Sequence, residues 1–428
     1  MTPPTYKTTL NNGLTVVLKE MHHAPVVSFM VWYRVGSRNE RPGLTGASHW
    51  VEHMMFKGTP TYPGGVLDRM VSREGGHWNA FTWLDFTAYY ETMPAGRIDL
   101  ALQLEADRMI NTIMEENEVE VERTVIISER HMYQNDPHFL LNEALTSAAF
   151  RVHPYHHEVI GDEVDLETMT RDDLYNHYRQ HYLPNNAIVV AAGDFHADAM
   201  LARIEELFGL LPAGETPAPL ARPEPPQQGE RRVTVNGPGD AAYLTVAYRA
   251  PSAGHPDYFP FVLLNAAFAG GSSLGLFGDG GSNKSSRLYK ALVATEVAAG
   301  AHAGLAPTID PFLYSINAVV RAGRSLAEVE GALEAELVRL ATAPITQVEL
   351  DKALKRAKAE FVMAGESITG QAQLLSMSEA LVGDYRWFET VLDKLNAVTL
   401  ADIERVRRHY LRKKNRVVGW YEPESVSE

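Results

Sequence analysis

The chain of 428 residues contains no cysteine. That one absence removes a disulfide framework, a thiolate metal ligand and a thiol nucleophile together, so any metal site must be built from nitrogen and oxygen donors. There is also no run of about 18 apolar residues, the length a membrane-spanning helix needs. The N-terminal stretch Met1 to Lys7 lacks a basic segment followed by an apolar one, and the expectation is a cytoplasmic protein with no membrane partner. Positive charge is scarce: 39 Lys and Arg face 54 Asp and Glu, a formal net charge of −15 that argues against nucleic acid and favours basic peptides. Hydrophobic residues make up 45% of the chain, enough to exclude a disordered protein and to bury the cores of at least two domains at this length.

What is present is concentrated in His49-Trp50-Val51-Glu52-His53. Two imidazoles four residues apart leave the same face of a helix, because one turn takes about 3.6 residues. Neutral imidazole is a good zinc ligand, and a carboxylate between the pair can take the proton of a water that the metal activates. The order His-x-x-Glu-His inverts the commoner His-Glu-x-x-His of zinc peptidases while keeping both ligands in place. A buried helix can also carry two histidines for no metal at all, so the surroundings decide.

A catalytic zinc takes three protein ligands and keeps one position open, so a third must come from elsewhere. The candidate segment is Glu118 to Glu129, which has helical character, and its Glu122 and Glu129 stand two turns apart on one face. Glu118 and Glu120 read as a solvated acidic face. Glu129 follows the apolar run Val125, Ile126, Ile127, which places it at the edge of a core.

The stretch Leu44 to Thr59, with His49, Glu52 and His53 at its centre, resembles the signature of the pitrilysin, insulysin and mitochondrial processing peptidase family. The resemblance implies a zinc endopeptidase whose third ligand is a glutamate 76 positions after the second histidine, and Glu129 stands there. By the same resemblance Glu122 supports the site without ligating the metal, as carboxylates behind a ligand commonly do. The segment Gly75 to Glu91 is similar to the family's strand beside the zinc, where the backbone of Asn79, Ala80, Phe81 and Thr82 would pair with a peptide substrate as an added strand. On composition alone that segment is a strand after a Gly-Gly turn. The implied chemistry has His49, His53 and Glu129 holding Zn2+ and Glu52 acting as general base.

The chain repeats itself. Thr170 to Leu183 leads into the strand Asn186 to Gly193, and Thr399 to Leu411 leads into Asn415 to Tyr421; both are capped helices ending in His-Tyr-Leu before a closing strand. A proline-rich stretch, Leu211 to Pro226, lies near the midpoint and reads as a semi-rigid linker. The expected organisation is a zinc-binding half over residues 1–212, a linker over 213–230 and a related half over 231–428 that closes the substrate chamber. Strands at Leu14 to Lys19, Val27 to Val35, Val233 to Val235 and Ala242 to Tyr248, with helices such as Arg97 to Asn111 and Leu326 to Leu340, lack a βαβ rhythm. The fold class is therefore α+β, each half a mainly antiparallel sheet with helices packed on it.

The second half has no His-x-x-Glu-His. The resemblance implies an arginine and, seven residues on, a tyrosine in that half of active members, yet aligning Ser285 to Gly300 on the pattern puts Val293 and Gly300 at those positions. The expectation is a hetero-oligomer in which a related subunit supplies the pair; a self-sufficient homodimer and a scaffold subunit with a vestigial zinc site are the alternatives. Arg287 and Tyr289 sit in an apparent helix and read as structural. The glycine-rich stretch Gly270 to Ser285 lacks the Gly-Lys-Ser/Thr of a phosphate loop and reads instead as a mobile loop. His22, His23, His153, His156 and His157 read as exposed loop histidines.

Overall fold

The structure, a computed structural model, describes residues 5–220, 222–271, 274 and 283–424, so most of the glycine-rich stretch lies outside the described residues. Eleven strands among them form two sheets. The first has six: β1 (Tyr6–Thr9), β2 (Thr15–Glu20), β3 (Val26–Tyr33), β4 (His77–Thr82), β5 (Thr87–Pro94) and β6 (Ala187–Gly193), in the order β1-β2-β6-β3-β5-β4. The second has five: β7 (Arg231–Gly237), β8 (Tyr243–Arg249), β9 (Ala298–Leu305), β10 (Leu313–Val320) and β11 (Arg416–Pro423), in the order β7-β11-β8-β10-β9.

Leaving β1 aside, the two orders are the same. In each, the closing strand inserts between the first two, parallel to one (β2 with β6, β7 with β11) and antiparallel to the other (β6 with β3, β11 with β8). The remaining pairs are antiparallel, so each sheet is mixed with a single parallel pair, within the expected α+β class. The helices that feed the closing strands match as well. Thr170 and Thr399 accept hydrogen bonds from the backbone N–H groups of Asp173 and Asp402, whose carboxylates accept from the threonine N–H groups in return. Each such reciprocal cap satisfies two donors that a helix start would otherwise leave unpaired.

Compact packing groups the chain into two units, Met1–Arg130 with His157–Arg222 and Gly365–Phe388, and His131–His156 with Pro223–Ala364 and Glu389–Glu428. This grouping departs from the two-half division at one pair of helices. The helix Pro137–Ala149, from the first half, packs on β7, β8 and β11, whereas the helix Ile368–Val382, from the second half, packs on β3 and β6. These are equivalent elements, each following the long helix of its own half (Glu116–Gln134 and Gln347–Ala364), and they are exchanged. Close approach is needed for the first: a side chain at Gly419 of β11 would bring its Cβ to 2.8 Å from Leu141. The second is held by Lys19 on Gln371 at 2.7 Å and Lys7 on Glu379 at 2.7 Å. Residues 213–230 carry no helix or strand among those described.

Three of the five loop histidines depart from expectation, His156 being half-buried. His153 and His157 are buried, and His153 is fixed by Asp310 at 3.0 Å and by the N–H of Tyr155 at 3.1 Å, so its polar atoms serve the fold. No described helix is long and apolar enough to cross a membrane.

Candidate metal centre

The motif occupies the helix Ala47–Met54, whose one side is buried against β4, β5 and the helix Arg171–His181. Its start is held from two directions. Gly46 takes a left-handed φ of 87°, and a Cβ there would lie 2.4 Å from the carbonyl oxygen of Ile160, so only glycine fits. The buried carboxylate of Glu40 accepts from the N–H groups of Gly46 (2.8 Å) and Ser48 (2.7 Å), which the first helical turn cannot satisfy itself. Trp50 and Val51, both fully buried, anchor the helix in the core.

Glu122 and Glu129 come from the helix Glu116–Gln134, and arginines fix that helix. Arg123 lies over the Trp50 ring with its guanidinium carbon 4.9 Å from the centroid and donates to the carbonyls of Leu166 and Met169, the latter at 2.8 Å. Arg130 donates to the carbonyl of Gly161 at 2.8 Å. Both arginines therefore tie the helix to the segment that follows Ile160, beside Gly46.

His49, His53 and Glu129 converge, with one donor atom from each lying within 4.8 Å of the others. The Nε2 atoms of both histidines are 3.7 Å from the same oxygen, Oε2 of Glu129. That is too long for hydrogen bonds. It is close to the edge of about 3.4 Å that a tetrahedron with metal–ligand bonds of about 2.1 Å requires. The donor set is all nitrogen and oxygen, as a chain without cysteine demands, and the geometry fits zinc.

The charges around these donors are sorted. Burial, helped by the neighbouring His53, drops His49 to a pKa of about 3, so its ring is neutral and its lone pair available. Burial would lower His53 too, but a 2.7 Å hydrogen bond from its Nδ1 to Glu122, with the other carboxylates near it, outweighs that and raises it. Glu122 also pairs with Lys57; burial works to raise its pKa, while the His53 hydrogen bond and Lys57 together hold it at about 2. Glu122 is thus a permanent anion that fixes the tautomer of His53 with Nε2 toward Glu129. His49 has no comparable partner for Nδ1 among the described residues.

Glu52 behaves oppositely. Burial lifts its pKa to about 7, against the hydroxyl of Thr82, which donates to Oε2 at 2.6 Å, and against the nearby His53. A carboxylate with a pKa near neutrality is suited to accept and return a proton. Glu52 and His53 line a cavity of about 990 Å³ together with Phe56, Asn79 and Glu122. Behind its wall, fully buried Arg108 pairs with Glu105 and Glu91 and lies 4.4, 5.4 and 5.5 Å from the Tyr89, Phe56 and Trp78 rings.

Asn79, Ala80, Phe81 and Thr82 all lie on β4, the last strand of its sheet, with β5 on one side. Asn79 is exposed, Phe81 is half-buried, and Ala80 and Thr82 are buried. Glu120 is exposed, whereas Glu118 is half-buried and lines the same cavity as His53; neither joins the converging group of His49, His53 and Glu129. In the second unit Val293 ends a short π-helical segment (Tyr289–Val293) and Gly300 lies on β9. Arg287 is engaged by Glu349 at 2.6 Å and by the carbonyls of Ala343 and Pro344, a structural role. Sequence reasoning missed the side chain of Thr82, the Lys57 pair and the Glu40 cap; all depend on register or long-range placement, and no local pattern signals them.

The family description "Insulinase (Peptidase family M16)" matches residues 15–163, which include the motif, and "Peptidase M16 inactive domain" matches residues 168–357, which do not. An uncharacterized zinc protease of Mycobacterium tuberculosis is 29% identical over 411 residues, covering 95% of this chain and 91% of its own. The mitochondrial-processing peptidase subunit beta of Lentinula edodes is 27% identical, covering 96% and 88%. The crystal structure of a protease from Helicobacter pylori superposes with a TM-score of 0.91 at 28% identity, covering 98% of this chain and 100% of that one. Matched across both halves and over nearly its whole length, the chain belongs to the insulinase family of peptidases, peptidase family M16.

Proposed function

We propose that the protein is a zinc-dependent endopeptidase acting on peptides or unfolded polypeptides. The observation that carries this is the convergence of His49, His53 and Glu129 on one point, with the raised carboxyl of Glu52 beside them at the cavity. Relatives named zinc proteases support the same reading. A zinc ion held by the three ligands supplies Lewis acidity, polarising a water and the carbonyl to be attacked. Glu52 takes the proton of that water and returns it to the nitrogen of the departing amine. Glu122 and Lys57 keep His53 oriented throughout. The outer side of β4, the last strand of its sheet among the described residues, receives the peptide backbone as an added strand, so that main chain rather than side chain sets its register.

The reading includes a partner. Val293 and Gly300 stand where the family resemblance implies an arginine and a tyrosine, and losing one donor to a developing oxyanion costs on the order of 100- to 1,000-fold in rate. A related subunit supplies the pair, and the relative named as the beta subunit of a processing peptidase supports such an arrangement. The test is peptide hydrolysis by the zinc-loaded chain, alone and mixed with a related subunit that carries the arginine and tyrosine, with Glu52→Gln as control. Turnover in the mixture only is expected. Equal turnover by the chain alone makes it a self-sufficient enzyme, and turnover that survives Glu52→Gln overturns the assignment of the base.

A further inference from the structure

The base and the substrate strand are joined by one hydroxyl. Thr82 ends β4, opposite Thr87 of β5, and its Oγ1 lies 2.6 Å from Oε2 of Glu52, with both residues buried. Two weaker neighbours compete for the proton: the Ser48 carbonyl at 3.5 Å and the Thr87 hydroxyl at 3.4 Å. The Thr87 hydroxyl already donates to the carbonyl of Val35 at 2.8 Å. A threonine has a single O–H to give. The shortest contact is also the one to a carboxylate, the strongest kind of acceptor, so the proton goes to Glu52.

We propose that Thr82 is a positioning residue for the base, tying the carboxylate of Glu52 to the edge strand that receives the peptide. The inference rests on Glu52 being the base and β4 the substrate strand. Threonine suits the task because two heavy atoms on Cβ restrict its χ1, so the backbone of β4 dictates where the hydroxyl points. Glutamate has three side-chain torsions and would otherwise sample several positions. Among the described residues Thr82 is the one that hydrogen-bonds its carboxylate. One oxygen is thereby pinned and the other left for the proton of the attacking water. A peptide paired along the strand at Asn79 to Thr82 is then in fixed register with the group that serves it.

The experiment compares Thr82→Val, which keeps the shape and removes the donor, with Thr82→Ser, which keeps the donor, in the zinc-loaded protein with whatever subunit turnover requires. Thr82→Val is expected to lose on the order of 10- to 100-fold in kcat with KM little changed, the scale of a misplaced catalytic group. Thr82→Ser is expected to return to within a few-fold of the wild type. Zinc content by atomic absorption should stay at the wild-type level in both. Crystal structures of the two variants supply a reading independent of turnover: the Glu52 carboxylate should leave its position in Thr82→Val and keep it in Thr82→Ser. A carboxylate still within about 0.5 Å of its wild-type place in Thr82→Val overturns the inference, as does an unchanged kcat beside an inactive Glu52→Gln. Full activity in Glu52→Gln refutes the reading of the base instead.

Discussion

Replacing the base by its amide should make the metal-free protein more stable and the zinc-loaded protein inactive. Glu52 is 8% exposed, and burial raises its carboxyl from an ordinary 4.5 to about 7 against the opposing Thr82 hydrogen bond. The folded state therefore binds this proton more tightly than the unfolded chain. The associated stabilisation is fully present below pH 4.5 and is lost as pH rises through 7. A difference of about 2.5 pH units at 1.36 kcal/mol each makes the ionised, buried carboxylate cost about 3 kcal/mol above neutrality. Glutamine carries no charge and escapes that cost, so Glu52→Gln should exceed the wild type by about 3 kcal/mol at pH 8 and by almost nothing at pH 4. The assay is urea unfolding of both proteins after chelation, at several pH values, with the slope of free energy on urea checked for constancy. Equal midpoints at pH 8 would refute the argument, because they would mean that the carboxylate ionises in the fold as easily as in water.

Three further outcomes follow from named contacts. Glu122→Ala should weaken zinc binding by about 10- to 100-fold in a chelator competition, because His53 loses the carboxylate that sets its tautomer; unaltered affinity would place the 2.7 Å contact outside the function of the site. Arg108→Met should destabilise the first unit by about 3–5 kcal/mol in denaturant unfolding, since it leaves Glu105 buried without its counter-ion and Glu91 without its donor. Thr170→Ala and Thr399→Ala should each cost about 1 kcal/mol, and unequal costs would show that the two reciprocal caps, alike in geometry, differ in what their helices hold up.

The candidate ligands were legible in part from spacing: His49 and His53 share a helical face at i and i+4, and Glu122 and Glu129 share one at i and i+7. That Glu129 rather than Glu122 is the third candidate ligand follows from the family resemblance, not from that spacing. The repeated capped helix and closing strand were also legible from spacing. What the closing strands do next was not. Insertion of β6 between β2 and β3, and of β11 between β7 and β8, is decided by which apolar faces meet in space. The exchange of Pro137–Ala149 and Ile368–Val382 between sheets is a choice between two similar surfaces, and helical periodicity carries no record of it. Arg108 shows the same limit: a basic residue on a helix reads as solvated, yet here it is fully buried, paired with Glu105 one turn earlier and with Glu91 on β5, where burial and Glu105 push the carboxyl well above the usual range.

The two glutamates that flank His53 explain why a metallopeptidase site needs more than its ligands. Both are carboxylates whose charge acts on one imidazole, and both are shielded from solvent, Glu52 at 8% exposure and Glu122 at 5%. Burial pushes both upward. Glu122 meets an imidazole hydrogen bond and an ammonium group, and the balance falls to about 2; Glu52 meets a neutral hydroxyl and only the more distant influence of His53, and the balance rises to about 7. A group held at 2 stays an anion at every working pH and can only orient and compensate charge. A group near 7 exchanges its proton at little cost in either direction, which is what a base that must also return the proton requires. The division of labour follows from what stands next to each carboxylate. Removing the Lys57 ammonium would leave Glu122 with less to hold its carboxyl low, and removing the Thr82 hydroxyl would leave burial of Glu52 less opposed, in both cases without altering His49, His53 or Glu129.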